Sequence, residues 1–144
     1  MRPASIVNFE RLYLGALVVG LINTFLTWDD TLAQVRAQPG AEAAGPGVMY
    51  IGIAFSLLIP LLLWYFVARR ASVVAKWILV VLFALGLVMM LVALSQGTLP
   101  EGIGAVLGVV TLLMQAAAVW MLFRPDAKAW FADGRGGPDP EVFR

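Results

Sequence analysis

The sequence has no cysteine and no histidine among its 144 residues. Disulfides, thiol nucleophiles and iron–sulfur ligands are therefore excluded, as are histidine-ligated haem and zinc sites built on Cys or His. Charged residues make up only 13% of the chain, against roughly 25% in an average soluble domain. The formal net charge of +1 is too small to indicate binding to nucleic acid. We expect no cofactor and no nucleic-acid partner.

Apolar residues dominate the chain instead. They make up 61% of it, and the mean hydropathy is +0.88. About 20 mainly apolar residues cross the roughly 30 Å hydrocarbon core of a bilayer. Four segments reach that length without an ionisable residue in their central part: 9–28, 47–68, 73–94 and 102–123. Soluble proteins rarely keep four successive helices apolar over such lengths, so we predict four membrane spans.

The basic residues are distributed unequally between the two sides of these spans. Arg36 is the one basic residue between the first and second spans, and none lies between the third and fourth. Nine of the ten fall on the opposite side: Arg2, Arg11, Arg69, Arg70, Lys76, Arg124, Lys128, Arg135 and Arg144. Because positive charge concentrates in cytoplasmic segments, we expect both termini in the cytoplasm. The expected partner of the chain is the lipid bilayer.

Short connections predict an all-α, integral membrane, up-down four-helix bundle over residues 1–133. The connections at 69–72 and 95–101 are too short to separate consecutive helices, which must then be antiparallel neighbours. The first span ends in two aspartates and not at a small-residue cleavage site. We therefore expect it to be retained and not cleaved as a signal peptide.

The remaining segments lie outside the bilayer core. The outer connection, 29–46, has a predicted short helix broken at Pro39-Gly40, and a functional role for it is left open. A brief interfacial helix is predicted at 126–133, because its aromatic residues can reach the bilayer boundary. The composition of 134–144 is typical of a disordered cytoplasmic tail.

Two of the predicted spans carry stripes of small and polar residues. In the first span the stripe is Ala16, Gly20, Asn23 and Thr27, and in the fourth it is Gly104, Gly108, Thr111 and Gln115. A spacing of four, three and four residues keeps each stripe on one helix face, and small residues let helix backbones approach closely. We predict that these two faces pack together, with Asn23 near the level of Gly104 and Gly108 and with Gln115 near the level of Ala16 and Gly20. Each of the two amides is expected to form a hydrogen bond across the interface to the opposite helix. A partner interface and a ligand path are the alternatives.

The second span contains Pro60. Proline has no N–H, so the carbonyl of Ser56 loses its helical partner and a kink is expected. Ser56 and Thr111 fall at the same depth by residue count. We predict that the proline is simply tolerated; the alternative is that Ser56, its free carbonyl and Thr111 form one small polar spot.

Acidic residues stay near the predicted membrane boundaries. Small multidrug exporters also have four spans but use an acid within the first helix, whereas Glu10 lies at the cytoplasmic edge beside Arg11. Proton-coupled transport is therefore not indicated. Asp29 and Asp30 are adjacent at the outer boundary with no histidine to complete a site. We predict no catalytic residue, no metal ligand and no enzymatic activity.

Two segments, one near each end of the chain, are similar to known sequences. Residues 2–14, RPASIVNFERLYL, and residues 122–131, LFRPDAKAWF, are similar to those of a family of small bacterial four-helix integral membrane proteins with no known activity. The resemblance implies a bacterial inner-membrane protein. It implies no activity and no functional residue.

Two functions fit this sequence. The first is a structural or accessory membrane protein that packs with itself, as a homo-oligomer, or with a larger membrane complex through its small-residue faces. The alternative is a subunit of an oligomeric transporter or channel for small solutes, because one bundle of four helices has little room for a path. Its polar lining would be Asn23, Ser56, Thr111 and Gln115.

Overall fold

The computed structural model describes residues 2–37, 41–97 and 102–133. These residues form helices and connecting turns, with no strand among them. In chain order the helices are α1 (Ala4–Leu26), α2 (Trp28–Arg36), α3 (Ala41–Arg70), α4 (Val73–Ser95), α5 (Ile103–Met121) and α6 (Pro125–Asp133). Four segments are long and apolar enough to cross a membrane: Ala4–Leu26, Tyr50–Arg70, Val73–Ser95 and Ile103–Met121. The prediction of an all-α chain with four such helices is confirmed.

Helix α3 begins before the apolar segment that the sequence marks. It starts at Ala41, whereas the second predicted span starts at position 47. The extension opens with Ala-Glu-Ala-Ala, all strong helix formers, and the helix continues through Pro46 and Pro60 to Arg70. Hydropathy locates the apolar part of a helix, so it does not detect a polar extension of this kind.

Helix α2 forms in the connection between α1 and α3. It has two aspartates in its first turn and an arginine in its last, a distribution that the helix dipole favours. The predicted break at Pro39-Gly40 lies outside the described residues, and so does the predicted disordered tail, 134–144.

A tight turn reverses the chain between α3 and α4. The N–H of Ser72 donates to the carbonyl of Phe66 at 3.0 Å, and the Ser72 hydroxyl accepts from the N–H of Ala75 at 3.2 Å. Ser72 is thus the N-cap of α4, a position that serine favours because its oxygen satisfies a free N–H. Ala71 reaches this geometry with a φ of 47°.

The helices are packed unequally. Helix α1 makes its most extensive contact with α5, smaller contacts with α3 and α6, and the least with α2. Helix α4 follows α3 through the tight turn and has only limited contact with α5. The α1–α5 pair is therefore the centre of the fold, and α4 stands partly apart from it.

The buried core lies at one end of the molecule. It forms where α1 and α4 begin, α3 and α5 end, and α6 folds back. Its members are Ile6, Phe9, Tyr13, Leu63, Val67, Ala68, Ala71, Ala75, Leu79, Ala118, Leu122, Ala127 and Phe131. The five helices α1, α3, α4, α5 and α6 are therefore joined most firmly at this end, which we call the core end.

Away from the core end, α3 and α4 expose large apolar side chains. In α4, whose most apolar window has a mean hydropathy of 3.0, only 6% of that window is buried within the chain. Val81, Met89 and Leu94 are each about 60% exposed. An apolar surface of this extent is typical of a helix that faces lipid or another protein.

Candidate functional site

The α1–α5 contact is built on glycine. A Cβ at Gly20 would lie 3.8 Å from Cγ2 of Thr111, and a Cβ at Gly15 would lie 2.7 Å from Cε of Met114. A methyl group at Gly20 would thus make an ordinary contact, whereas one at Gly15 would require the flexible end of Met114 to shift. Small residues of this kind are enriched where membrane helices approach closely. Ala16 is 1% exposed at the same interface.

The two contacts also fix the relative level of the stripes. Because each helix rises about 1.5 Å per residue, pairing Gly20 with Thr111 places Asn23 near the level of Gly108. Gln115 is then near the level of Ala16. The rest of the two stripes is buried or half-buried, with Gly104 buried in α5. Both small-residue faces are thus turned toward each other within one chain.

The hydrogen bonds predicted from Asn23 and from Gln115 to the opposite helix do not form. Oδ1 of Asn23 is buried and has no hydrogen-bond partner, and no described residue pairs with the Gln115 amide. Each amide lies near the level of a small residue on the opposite helix, but it does not bond to the backbone there.

A cleft opens between the α1–α5 pair and α4, and we call it the α4 cleft. Its volume is about 230 Å³. It is lined by Gly20, Asn23, Leu82, Phe83, Gly86, Met90, Gly108, Thr111, Leu112 and Gln115. Five residues of the two predicted stripes therefore lie on one cleft.

The polar atoms of the α4 cleft are incompletely satisfied. Oδ1 of Asn23 and Oγ1 of Thr111 are both buried without a hydrogen-bond partner. A buried polar group left unpaired costs about 1–3 kcal/mol. By contrast, Oγ1 of Thr24 donates to the carbonyl of Gly20 at 3.0 Å, and Oγ1 of Thr27 donates to the carbonyl of Asn23 at 2.9 Å. Two polar atoms beside the cleft are thus unsatisfied within the described part of the chain.

The helix that closes the cleft was not singled out from the sequence. Gly86 is the one glycine of α4, and a Cβ there would meet nothing within 4 Å. Gly108, across the cleft, is equally open. A lone glycine in an apolar helix was the available signal, but it does not indicate which neighbour the helix faces.

Pro60 lies at a second, smaller cavity of about 140 Å³. Gln115, Leu82 and Phe83 line both this cavity and the α4 cleft, so the two are neighbours. The rest of its lining is Tyr13, Leu63, Leu79 and Val119. Helix α3 continues through Pro60 without ending, and the kink stays a prediction.

The polar spot that the sequence left as an alternative for Ser56 and Thr111 does not form. Ser56 is exposed, and its hydroxyl donates to the carbonyl of Ile53 at 2.8 Å. Thr111 lines the α4 cleft, and Ser56 does not. The reason is the arrangement of helices: α3 packs on α1 and α4, and equal depth brings two residues together only when their helices are neighbours.

Charged contacts tie the helices together at the core end. Glu10 accepts from Arg2 at 2.6 Å and from Arg69, at the end of α3, at 3.4 Å. Asp126 of α6 accepts from the backbone N–H of Ser5 at 3.1 Å, one of the N–H groups that the start of α1 leaves free. The Ser5 side chain and this N–H lower the pKa of the Asp126 carboxyl. Within the described ranges, no three acidic side chains gather as a metal site.

Comparison with known proteins identifies no relative of this chain. No family model matches the chain, and neither the curated proteins nor the solved structures include one that is significantly similar to it. The resemblance of residues 2–14 and 122–131 to small bacterial four-helix membrane proteins stays a prediction.

Proposed function

We propose that this chain is a multi-pass protein of the bacterial inner membrane, with four spans and both termini in the cytoplasm. The distribution of charge on the folded chain supports it. Glu10–Arg69 and Ser5–Asp126 join the ends of α1, α3 and α6. Seven of the eight described basic residues belong to this core end: Arg2, Arg11, Arg69, Arg70, Lys76, Arg124 and Lys128. The cytoplasmic side of a membrane protein carries such an excess.

Single cysteines test this topology, because the native chain has none. Ala33 of α2 and Ala129 of α6 are both exposed. In intact spheroplasts, a membrane-impermeant maleimide should label the Ala33→Cys chain at once. It should label the Ala129→Cys chain only after permeabilisation. Labelling of Ala129→Cys in intact spheroplasts would reject the orientation.

We infer further that the protein is a structural or accessory subunit whose α4 cleft receives a helix of a partner. One observation supports this above all: a cleft lined by three glycines and two unpaired buried acceptors opens beside the most exposed apolar helix. Small residues allow a partner backbone to approach. A donor side chain on that helix could satisfy Asn23 or Thr111 once the side chains that cover their oxygens move aside. Each such bond contributes only about 0.6 kcal/mol, so the apolar contact supplies most of the affinity.

The size of the cleft also favours a protein partner over a large substrate. Pockets that enclose drug-sized ligands have about 300–1,000 Å³, and this cleft has about 230 Å³. It has room for side chains of a neighbouring helix. We accordingly propose no catalytic role for it.

Adjacent methionines of α4 provide a matched test. Met90 lines the cleft, whereas Met89 is 62% exposed. A photoreactive amino acid placed at either position would be activated in native membranes. At position 90 it should capture one defined protein chain, and at position 89 mainly lipid. Capture of lipid alone at both positions would reject the docking of a partner.

A transporter or channel subunit is the second candidate. It is favoured by the convergence of Asn23, Thr111 and Gln115, three of its four expected lining residues, on one cleft. Replacing all three with apolar residues should leave an accessory complex assembled. The same change should abolish solute flux through a transporter. Flux measured in vesicles, together with the mass of the complex, separates the two functions.

A further inference from the structure

A buried lysine lies where α4 begins. Lys76 is only 8% exposed, and its Nζ lies 4.3 Å from the ring centroid of Phe123 and 5.1 Å from that of Phe131. The aromatic faces attract the ammonium charge, but they do not replace an anion. A buried charge usually has an ionic partner, because desolvation without one is costly.

Lys76 has no such partner in the described part of the chain. Among the acidic side chains that the structure describes, which do not include that of Asp133, none lies within 4.0 Å of Lys76 or of Lys128. Glu10 and Asp126, the two described acidic side chains of the core end, are engaged elsewhere: Glu10 with two arginines and Asp126 with Ser5. The two lysines are also close enough for their charges to repel each other. An anion between the two lysines would give Lys76 an ionic partner and would reduce the repulsion between the two positive charges.

Both lysines line one open cleft of about 260 Å³ between α4 and α6. We call it the lysine cleft. Its other walls are Val73, Trp77, Phe131 and Ala132. The site thus combines two cations with an apolar and aromatic wall. Trp77 also packs edge-on against Phe123, with ring centroids 6.1 Å apart, which holds the aromatic side of the cleft in place.

We propose that the lysine cleft binds a phosphate group, held between the ammonium groups of Lys76 and Lys128. Phosphate oxygens accept charge-assisted hydrogen bonds from lysine. The apolar wall beside the lysines favours a phosphate that carries hydrocarbon, as in an anionic phospholipid. Basic pockets at the cytoplasmic side of membrane helices bind such headgroups. The lipid source rests on the membrane placement proposed above, whereas the phosphate site rests only on the contacts of α4 and α6.

The test compares the two lysines of the lysine cleft with two arginines of the core end. Arg11 and Arg70 are exposed and make no ion pair with a described residue. The double variant Lys76→Gln/Lys128→Gln therefore has a matched control in Arg11→Gln/Arg70→Gln, which removes the same charge. Each full-length protein is reconstituted in nanodiscs of phosphatidylglycerol and phosphatidylcholine. Lipid retained after gentle release is then counted by native mass spectrometry.

We expect the unmodified protein and the arginine control to retain about one phosphatidylglycerol per chain. The lysine double variant should retain it at least about tenfold more weakly, the loss of roughly one charge-assisted hydrogen bond. Lys128→Gln alone, at an exposed position, should lower retention without disturbing the buried side chains. Equal loss in the lysine and arginine variants would overturn the proposal, because it would indicate general charge attraction and no site.

A second arm separates the two sources of phosphate. Inorganic phosphate is titrated into the detergent-solubilised protein by calorimetry, with and without phosphatidylglycerol. Binding that the lysine variant loses and the lipid competes for supports the site with lipid as its source. Phosphate binding without lipid retention supports a soluble phosphate instead. Absence of both overturns the proposal, and it leaves the maleimide test of topology unaffected.

Discussion

At the scale of single residues, Gly20 of α1 lies against Thr111 of α5. A methyl group at this position would make an ordinary contact, 3.8 Å from Thr111. We therefore expect Gly20→Ala to leave stability nearly unchanged. Gly20→Leu should lower the free energy of unfolding by about 1–3 kcal/mol, because the larger side chain must push the helices apart. Unfolding in mixed micelles monitored by circular dichroism measures the difference.

Gly52 supplies the control for this substitution. A Cβ there would meet nothing within 4 Å, and the residue is exposed on α3. Gly52→Leu adds the same bulk at a surface without neighbours, so it should not destabilise the chain. If Gly20→Leu and Gly52→Leu unfold alike, the close approach at Gly20 contributes nothing specific.

Asp126 makes the docking of α6 on α1 sensitive to pH. Its pKa is lowered in the folded chain, so its stabilising effect is complete above the unfolded value of about 3.9 and is lost as the pH falls through the lowered pKa. Asp126→Ala should speed hydrogen exchange at the Ser5 amide at neutral pH. Asp30→Ala, in the first turn of α2, should leave that exchange unchanged. Equal protection of Ser5 in the Asp126 variant would contradict this role.

The residue patterns predicted which faces meet but not their hydrogen bonds. Spacing along a helix gives the face and places the level within about one residue, or 1.5 Å. This precision is sufficient to predict that Gly20, Asn23 and Thr111 lie in one region of the fold. A hydrogen bond also needs a donor and an acceptor about 3 Å apart in suitable rotamers. Asn23 and Gln115 do not meet that condition.

At the scale of elements, the antiparallel α1–α5 pair is open to direct measurement. Cysteines introduced as Gly20→Cys and Thr111→Cys would lie on facing sides of the pair, since the Cβ at position 20 and Cγ2 of Thr111 are 3.8 Å apart. We expect an oxidant to join them within one chain. The pair Ser56→Cys and Thr111→Cys should not be joined, because Ser56 is not part of that contact.

Gel mobility before and after reduction reads out this crosslink. A strong Ser56–Thr111 crosslink would support the polar spot that the sequence left as an alternative, and it would contradict the arrangement of α3. Because there is no native cysteine, every crosslink can be assigned to the introduced pair.

Helix boundaries and helix neighbours differ in how far the sequence determines them. The length of the apolar segments locates four long helices. Apolar segments long enough to cross a bilayer are rare in the helices of soluble proteins. It does not locate the start of α3 at Ala41, where helix propensity and not hydropathy extends the helix. Nor does it indicate that α4 stands apart from α5, because the apolar surface of α4 is suited to lipid and protein neighbours alike.

At the scale of the whole molecule, burial and charge coincide. The core cluster and most of the basic side chains occupy the same end, whereas α3 and α4 expose apolar surface away from it. One end of the molecule therefore holds its own helices together. The rest has to be covered by lipid or by a partner, and the α4 cleft is where a partner can approach most closely.

The most direct measurement is the native mass of the protein extracted gently from its own membrane, with every co-purifying chain identified. We expect the unmodified protein and Gly52→Leu to appear with a second chain in fixed ratio. Gly86→Leu places a larger side chain in the α4 cleft from a Cβ that meets nothing within 4 Å, so this variant should appear as a folded, bare monomer. A bare monomer for the unmodified protein, or a complex that Gly86→Leu leaves intact, would contradict the account.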